Sequence, residues 1–189
     1  MGSLGSVCVY CGSASGFDGI YEEAAKRLGQ NLAANGITLV YGGGSIGMMG
    51  TIAKSCLDNG GHVVGIIPEF LREKEVMLQD VQELIVTKNM HERKKLMFER
   101  ADGFIALPGG IGTLEELVEL LTWAQLGRHN KPVILANIDG FWQPLKQMLS
   151  HMLERGFIRP GFEVNLNMYA DIDALIPALQ KHISQNQQA

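Results

Sequence analysis

Pro108-Gly109-Gly110-Ile111-Gly112-Thr113-Leu114-Glu115-Glu116 has the make-up of an anion cradle backed by carboxylates. It follows the apolar run Gly103-Phe104-Ile105-Ala106-Leu107 and leads into Leu117-Val118-Glu119-Leu120-Leu121, so the layout reads strand, glycine turn, helix. Three glycines let the backbone come close to a ligand, and free N–H groups at the helix start attract negative charge. Thr113 adds a hydroxyl, and Glu115 and Glu116 stand a turn deeper, within reach of whatever carries the anion. Such a set suits chemistry on a phosphorylated small molecule. A plain glycine turn with acidic residues favoured by the helix dipole would carry the same letters.

A second group, Met90-His91-Glu92-Arg93-Lys94-Lys95, precedes that strand. On a helix Met90, Arg93 and Met97 share one side, and Lys94 lies about 100° further round. Arg93 can make a forked contact to phosphate or to a nucleotide's polar edges, while Lys94 supplies a point charge. A solvated charged face is the alternative. A third group, Gly42-Gly43-Gly44-Ser45-Ile46-Gly47-Met48-Met49-Gly50, puts three consecutive glycines at a strand end, where each costs conformational entropy. Close approach of a ligand or of a neighbouring backbone explains them better than stability does.

These groups need a frame, and the hydrophobic pattern supplies one. Strands are expected at Val7–Cys11, Thr38–Tyr41, His62–Ile67, Leu84–Thr87, Gly103–Leu107 and Pro132–Ala136. Helices are expected from about Ile20 to Ala34, Met48 to Asn59, Met90 to Ala101, the glycine motif to Leu126, Gly140 to Arg155, and Ile172 to His182. Alternating short apolar strands and helices imply an α/β, Rossmann-like, doubly wound parallel sheet with helices on both faces. Ligands in such sheets sit at the carboxyl ends of the strands, where the glycine loops after strands one, two and five fall. One domain is expected over residues 1–189, with a polar tail from about residue 184.

The 189 residues are 46% hydrophobic and 19% charged, an ordinary soluble composition. A net charge of −4 without a Lys/Arg-rich run argues against a nucleic-acid surface. No run spans a bilayer, and Met1–Gly5 lacks a basic leader, so a cytoplasmic protein is expected. Cys8 and Cys11 form a C-x-x-C, but on a strand positions three apart face opposite sides, so they read as structural. The dinucleotide fingerprint is missing: Gly12-Ser13-Ala14-Ser15-Gly16 does not match it, and no acidic residue closes the second strand. There is no Walker lysine, the five histidines are scattered, and neither a metal nor a cofactor is expected.

Taken together, the P-G-G-x-G-T-x-x-E of residues 108–116, the M-x-x-R-K of residues 90–94 and the glycine run of residues 42–50 closely resemble the LONELY GUY (LOG) family. These enzymes are cytokinin riboside 5′-monophosphate phosphoribohydrolases. The resemblance runs from about Val7 to Ile176 and includes Trp123-Ala124-Gln125-Leu126-Gly127. It implies hydrolysis of the N-glycosidic bond of a nucleoside 5′-monophosphate, AMP or isopentenyladenosine monophosphate, to free base and ribose 5-phosphate. It also implies that Arg93 and Glu116 form the catalytic pair and that Gly109, Gly110, Gly112 and Thr113 hold the phosphate. Ile111, Leu114, Glu115, Lys94, Thr122 and Glu75 would line the nucleotide, with Ser13 and Gly43 as further contacts from the first two glycine loops. A homodimer or larger assembly in which two subunits complete each site is implied too; a homodimer at least is expected, with the apolar side of the 90–101 helix as one candidate surface.

The chemistry agrees with these roles. Breaking an N-glycosidic bond builds positive charge on the sugar and needs a water at the anomeric carbon. A carboxylate such as Glu116 can stabilise that charge and orient or deprotonate the water. Arg93 is a poor proton donor, so it suits holding the nucleotide or the leaving group. Three rivals stay open: a general nucleoside-monophosphate nucleosidase, a non-catalytic nucleotide or cofactor carrier, and a lysine decarboxylase. The last needs a Schiff-base lysine, and Lys54, Lys88, Lys94 and Lys95 occupy no evident pocket in the sequence.

Overall fold

The computed structural model describes residues 4–71, 78 and 80–186. Seven parallel strands form one sheet: β1 (Ser6–Tyr10), β2 (Thr38–Tyr41), β3 (Val63–Pro68), β4 (Glu83–Thr87), β5 (Gly103–Ala106), β6 (Val133–Ala136) and β7 (Asn167–Tyr169). Their spatial order is β4-β3-β2-β1-β5-β6-β7. The chain runs outward from β1 to one edge, returns, and then runs outward from β5 to the other. The direction reverses between β1 and β5, where Cys8 lies opposite Phe104 and Tyr10 opposite Ala106. That reversal opens a crevice at the strands' carboxyl ends, the place where such sheets bind ligands.

Among the described residues six α-helices cover the sheet: α1 (Gly19–Ala34), α2 (Gly47–Asp58), α3 (Met90–Glu99), α4 (Ile111–Gln125), α5 (Gln143–Glu154) and α6 (Leu175–Asn186). Period-two alternation along β1 divides the core. Val7, Val9 and Cys11 join the layer under α1, α2 and α6. Cys8 and Tyr10 join the opposite layer with Met97 of α3, Leu117 and Leu120 of α4, and Trp142 before α5. In that second layer Phe104 stacks on Tyr10 and on Phe98, fixing the floor from which β1 and β5 end.

Helix starts follow local chemistry. The Asn89 side chain accepts from the Glu92 N–H, and Glu92 accepts from the Lys88 N–H, a capping arrangement that starts α3 at Met90. The helix after β6 begins at Gln143 rather than Gly140, because residues Ile138–Gly140 form a 3-10 turn and Pro144 occupies the first turn of α5. The strand β7 was not expected: at three half-buried residues it carries too little hydrophobic pattern to stand out. The last helix runs on to Asn186, two residues past the expected start of the polar tail. On α3 Met97 is turned into the core of its own chain at 1% exposure, while Met90, Leu96 and Phe98 are half-buried.

Candidate active site

The two loops at the reversal are pressed together. Gly12 N–H donates to Pro108 O at 3.1 Å, and a Cβ built on Gly109 would fall 2.2 Å from Thr113 Oγ1 and 2.8 Å from Gly12 N. Only glycine fits at 109. The next residue, Gly110, is the N-cap of α4 and provides no side-chain cap, so the first amides of that helix remain available to an anion. Beside them lies a cavity of about 380 Å³.

Its wall brings together much of what the sequence singled out. The N-cap Gly110 lines it with Ile111, Gly112 and Thr113 of α4, with Glu115 and Glu116 further along that helix, Arg93 from α3 and Ser13 from the loop after β1. Leu71, Met90, Met97 and Met49 make the rest of the wall more apolar. Gly109 faces a neighbouring hollow of about 250 Å³ that includes Tyr21 and Phe141. Leu114, Gly43, Lys94 and Thr122 are off the wall of the larger cavity. Glu75 lies outside the described residues.

Arg93 is 7% exposed and Glu116 9%, and they form a direct ion pair with Nη1 at 2.6 Å from Oε1. Arg93 Nε also donates to the Ile66 carbonyl of β3 at 3.0 Å, so two edges of its guanidinium are fixed. Gly42 explains how it fits: a Cβ there would lie 2.4 Å from Arg93 Nη2 and 3.0 Å from Met49 Sδ. The glycine run therefore serves, at this position, the close approach of a protein side chain. Burial pushes the Glu116 carboxyl above the usual carboxylate range, and the Arg93 charge and hydrogen bond oppose that rise without cancelling it.

Lys94 sits next to this pair. Its Nζ donates to Glu115 Oε1 at 2.6 Å and to Glu119 Oε2 at 2.8 Å. Partial burial alone would lower the ammonium, but the bonds to the two glutamates outweigh it and hold Lys94 above its ordinary value. Glu119 was missed in the sequence; its position four residues after Glu115 on one helical face was the available signal. Thr122 donates to Val118 O on the outward side of α4, between the exposed Val118 and Leu126. The cysteines behave as structural residues: Cys8 and Cys11 are buried in opposite layers, and burial drives both thiols up, with Cys56 pushed up to about 11. Among the described residues no His/Cys/Asp/Glu group is placed to hold a metal ion, and no helix is long and apolar enough to cross a membrane.

Comparison with known proteins decides the family. The family model described as possible lysine decarboxylase matches residues 49–179. A rice protein named cytokinin riboside 5′-monophosphate phosphoribohydrolase LOG is 53% identical over 152 residues, 80% of this chain and 63% of the relative. The chain belongs to the LONELY GUY (LOG) family. A rice LOG relative, probable cytokinin riboside 5′-monophosphate phosphoribohydrolase LOGL2, is 45% identical over 96% of this chain and 74% of its own length. Arabidopsis LOG3 is 49% identical over 82% of this chain and 72% of its own. Among solved structures, the molybdenum cofactor binding protein of Rippkaea orientalis superposes with a TM-score of 0.70 at 23% identity, covering 97% of this chain and 99% of that one. The Chlamydomonas reinhardtii Moco carrier protein gives 0.71 at 22%, with the same coverage. At that identity the likeness shows the Rossmann-type fold alone.

Proposed function

We propose that this LOG-family chain hydrolyses the N-glycosidic bond of cytokinin riboside 5′-monophosphates, releasing the free base and ribose 5-phosphate. The observation that carries the reading is the buried Arg93–Glu116 pair on the wall of a cavity that also holds the uncapped start of α4. The names of the relatives, which describe this reaction, point the same way.

In this reading the 5′-phosphate binds the amides of Gly110, Ile111, Gly112 and the Thr113 hydroxyl, with Gly109 shaping the turn. That contact is remote from the bond being cut and supplies orientation, which makes the monophosphate a better substrate than the nucleoside. Glu116 faces the anomeric carbon. Arg93 holds its Oε1, and Oε2 stabilises the positive sugar and accepts a proton from the attacking water. The C1′–N bond breaks, the water oxygen bonds to C1′, and the base departs with its electron pair and takes up a proton from solvent. Arg93 fixes the carboxylate and screens developing negative charge; a guanidinium is a poor proton donor, so it does not serve as the acid. The apolar wall of Leu71, Met90 and Met97 suits a base carrying an apolar substituent.

Thr122 and Leu114 do not reach the cavity of their own chain. A homodimer explains Thr122: Val118 of α4 and Leu126 just after it are exposed on either side of Thr122 and give a second copy an apolar surface that would bring Thr122 to a shared site. Three free cysteines suit a reducing, cytoplasmic compartment. The decarboxylase name of the family model has no support in the cavity, because no lysine lines it among the described residues.

A chromatographic assay for free base tests the reading, with AMP, isopentenyladenosine monophosphate and isopentenyladenosine offered in parallel. Base is expected from the monophosphates and not from the nucleoside, with the prenylated nucleotide faster. Binding of all three without base release would move the chain to the carrier class.

A further inference from the structure

Glu115 presents a problem that the rest of the site does not. It lines the cavity, yet its side chain is 51% exposed, and a solvated glutamate samples many rotamers. A single exposed ion pair restrains such a group weakly. Here the partner is not mobile. Lys94 is only 12% exposed and is held a second time by Glu119, which is 29% exposed and lies one turn further along α4. Glu115 and Glu119 are an i, i+4 pair of like charges, a mildly repulsive arrangement on its own. With Lys94 between them, 2.6 Å from one and 2.8 Å from the other, the repulsion becomes a three-point clamp from α3 to α4. That clamp runs beside the Arg93–Glu116 bridge, and each of its α3 and α4 residues Lys94 and Glu115 is the chain neighbour of a member of that bridge.

We infer that Glu119 is a positioning residue: through Lys94 it fixes the Glu115 carboxylate at the cavity rim to accept hydrogen bonds from the hydroxyls of the bound sugar. Glu119 itself stays outside the cavity and touches no substrate. The inference rests on the nucleotide reading of the site. A sugar hydroxyl is a donor, and an oriented carboxylate is a strong acceptor for it. Losing Glu119 frees Lys94 and lets Glu115 swing to solvent, so the loss falls on nucleotide binding more than on turnover.

The test is a double-mutant cycle on Glu119→Gln and Glu115→Gln, read by AMP binding in calorimetry and by KM and kcat for base release. Glu119→Gln is expected to weaken AMP binding and raise KM about tenfold, with kcat within about twofold, and to do neither in the Glu115→Gln background. The same tenfold loss in both backgrounds, or an unchanged Kd in Glu119→Gln, would overturn the inference. Melting curves accompany each variant; if Glu119→Gln melts early, Lys94→Met removes the clamp from the other helix and is read in the same cycle. AMP binding without base release by the wild type would remove the hydrolase reading and leave the clamp standing, whereas no AMP binding at all would remove both.

Discussion

Arg93 and Glu116 come from different helices, 23 residues apart in the chain, and meet at 2.6 Å where the sheet changes direction. Neither side chain is free to move away. Arg93 is tied to the Ile66 carbonyl, and Glu116 projects from a helix whose start is locked against the loop after β1. A buried ion pair of this kind is weak evidence for stability, since desolvating both charges offsets most of their attraction. Its position on a cavity wall makes a functional reason the better one.

Glu116→Gln separates binding from chemistry. The amide keeps the shape and can still accept from Arg93, so the fold and AMP binding should persist. Turnover should fall by about 10² to 10⁴, the usual contribution of a positioned acid–base group. Arg93→Ala should weaken both binding and turnover and lower stability by about 3–5 kcal/mol, because it leaves a buried carboxylate unpaired. Single-turnover base release and AMP calorimetry on the two variants distinguish these patterns; full activity in Glu116→Gln would move the role to Glu115.

The pH dependence follows from the raised carboxyl of Glu116. In the proposed mechanism Glu116 acts in its ionised form, so kcat/KM should fall on the acid side at a pH above the usual carboxylate range. Replacing Arg93 by Gln removes a cation that favours ionisation and leaves burial in place, so that limb should move to still higher pH. The stability contribution has the opposite sign. A raised folded pKa favours the fold most below the unfolded value, and the advantage is lost as pH rises through the folded one. The melting-temperature difference between wild type and Glu116→Gln should therefore shift against the wild type across that window. A pH–rate profile with its acid limb in the ordinary carboxylate range would contradict this assignment.

Gly42→Ala probes how closely Arg93 is packed. A methyl at 42 would lie 2.4 Å from Nη2, and the guanidinium cannot retreat without breaking its bond to Ile66 or to Glu116. Displacement of about 1 Å at a reacting group can lower rate about a hundredfold. Such a loss in kcat/KM, with a circular dichroism spectrum like the wild type's, is the expected result. A Gly36→Ala control sits at a helix end with nothing within 4 Å, although its φ of +64° makes it strained; it should cost stability and leave kcat/KM alone.

Cys8 and Cys11 should not form a disulfide. They point into opposite layers of the core, and both thiols are shifted up by burial. Under mild oxidant all three cysteines should remain titratable after denaturation, while the folded protein reacts slowly with alkylating reagent. Loss of two thiols per chain would refute the structural role.

How far the sequence reached is clearest at the glycine motif and least clear at α4. The strand–turn–helix order, the parallel sheet and the placement of residues 108–116 at its carboxyl edge were legible because each rests on local periodicity and on glycine at fixed spacing. The Arg93 and Glu116 motifs were legible for the same reason, as short patterns within single elements. What periodicity could not decide was which side chains meet. Lys94 reads as a ligand contact in the sequence, and its ties to Glu115 and Glu119 could not be read there. The triple glycine reads as room for a ligand or a neighbouring backbone; Gly42 lines the cavity and also makes room for the Arg93 side chain. The sequence did not tell which apolar residues of α3 enter the core: Met97 does, while Met90 and Leu96 stay half-buried. Three half-buried residues of β7 became a strand only because β6 offered an unpaired edge. Local pattern determined every element but that edge strand, and the residue types at their ends. Only packing two helices against one sheet edge decided their pairing, because contacts between residues far apart in the chain depend on the relative placement of elements, which no local pattern encodes.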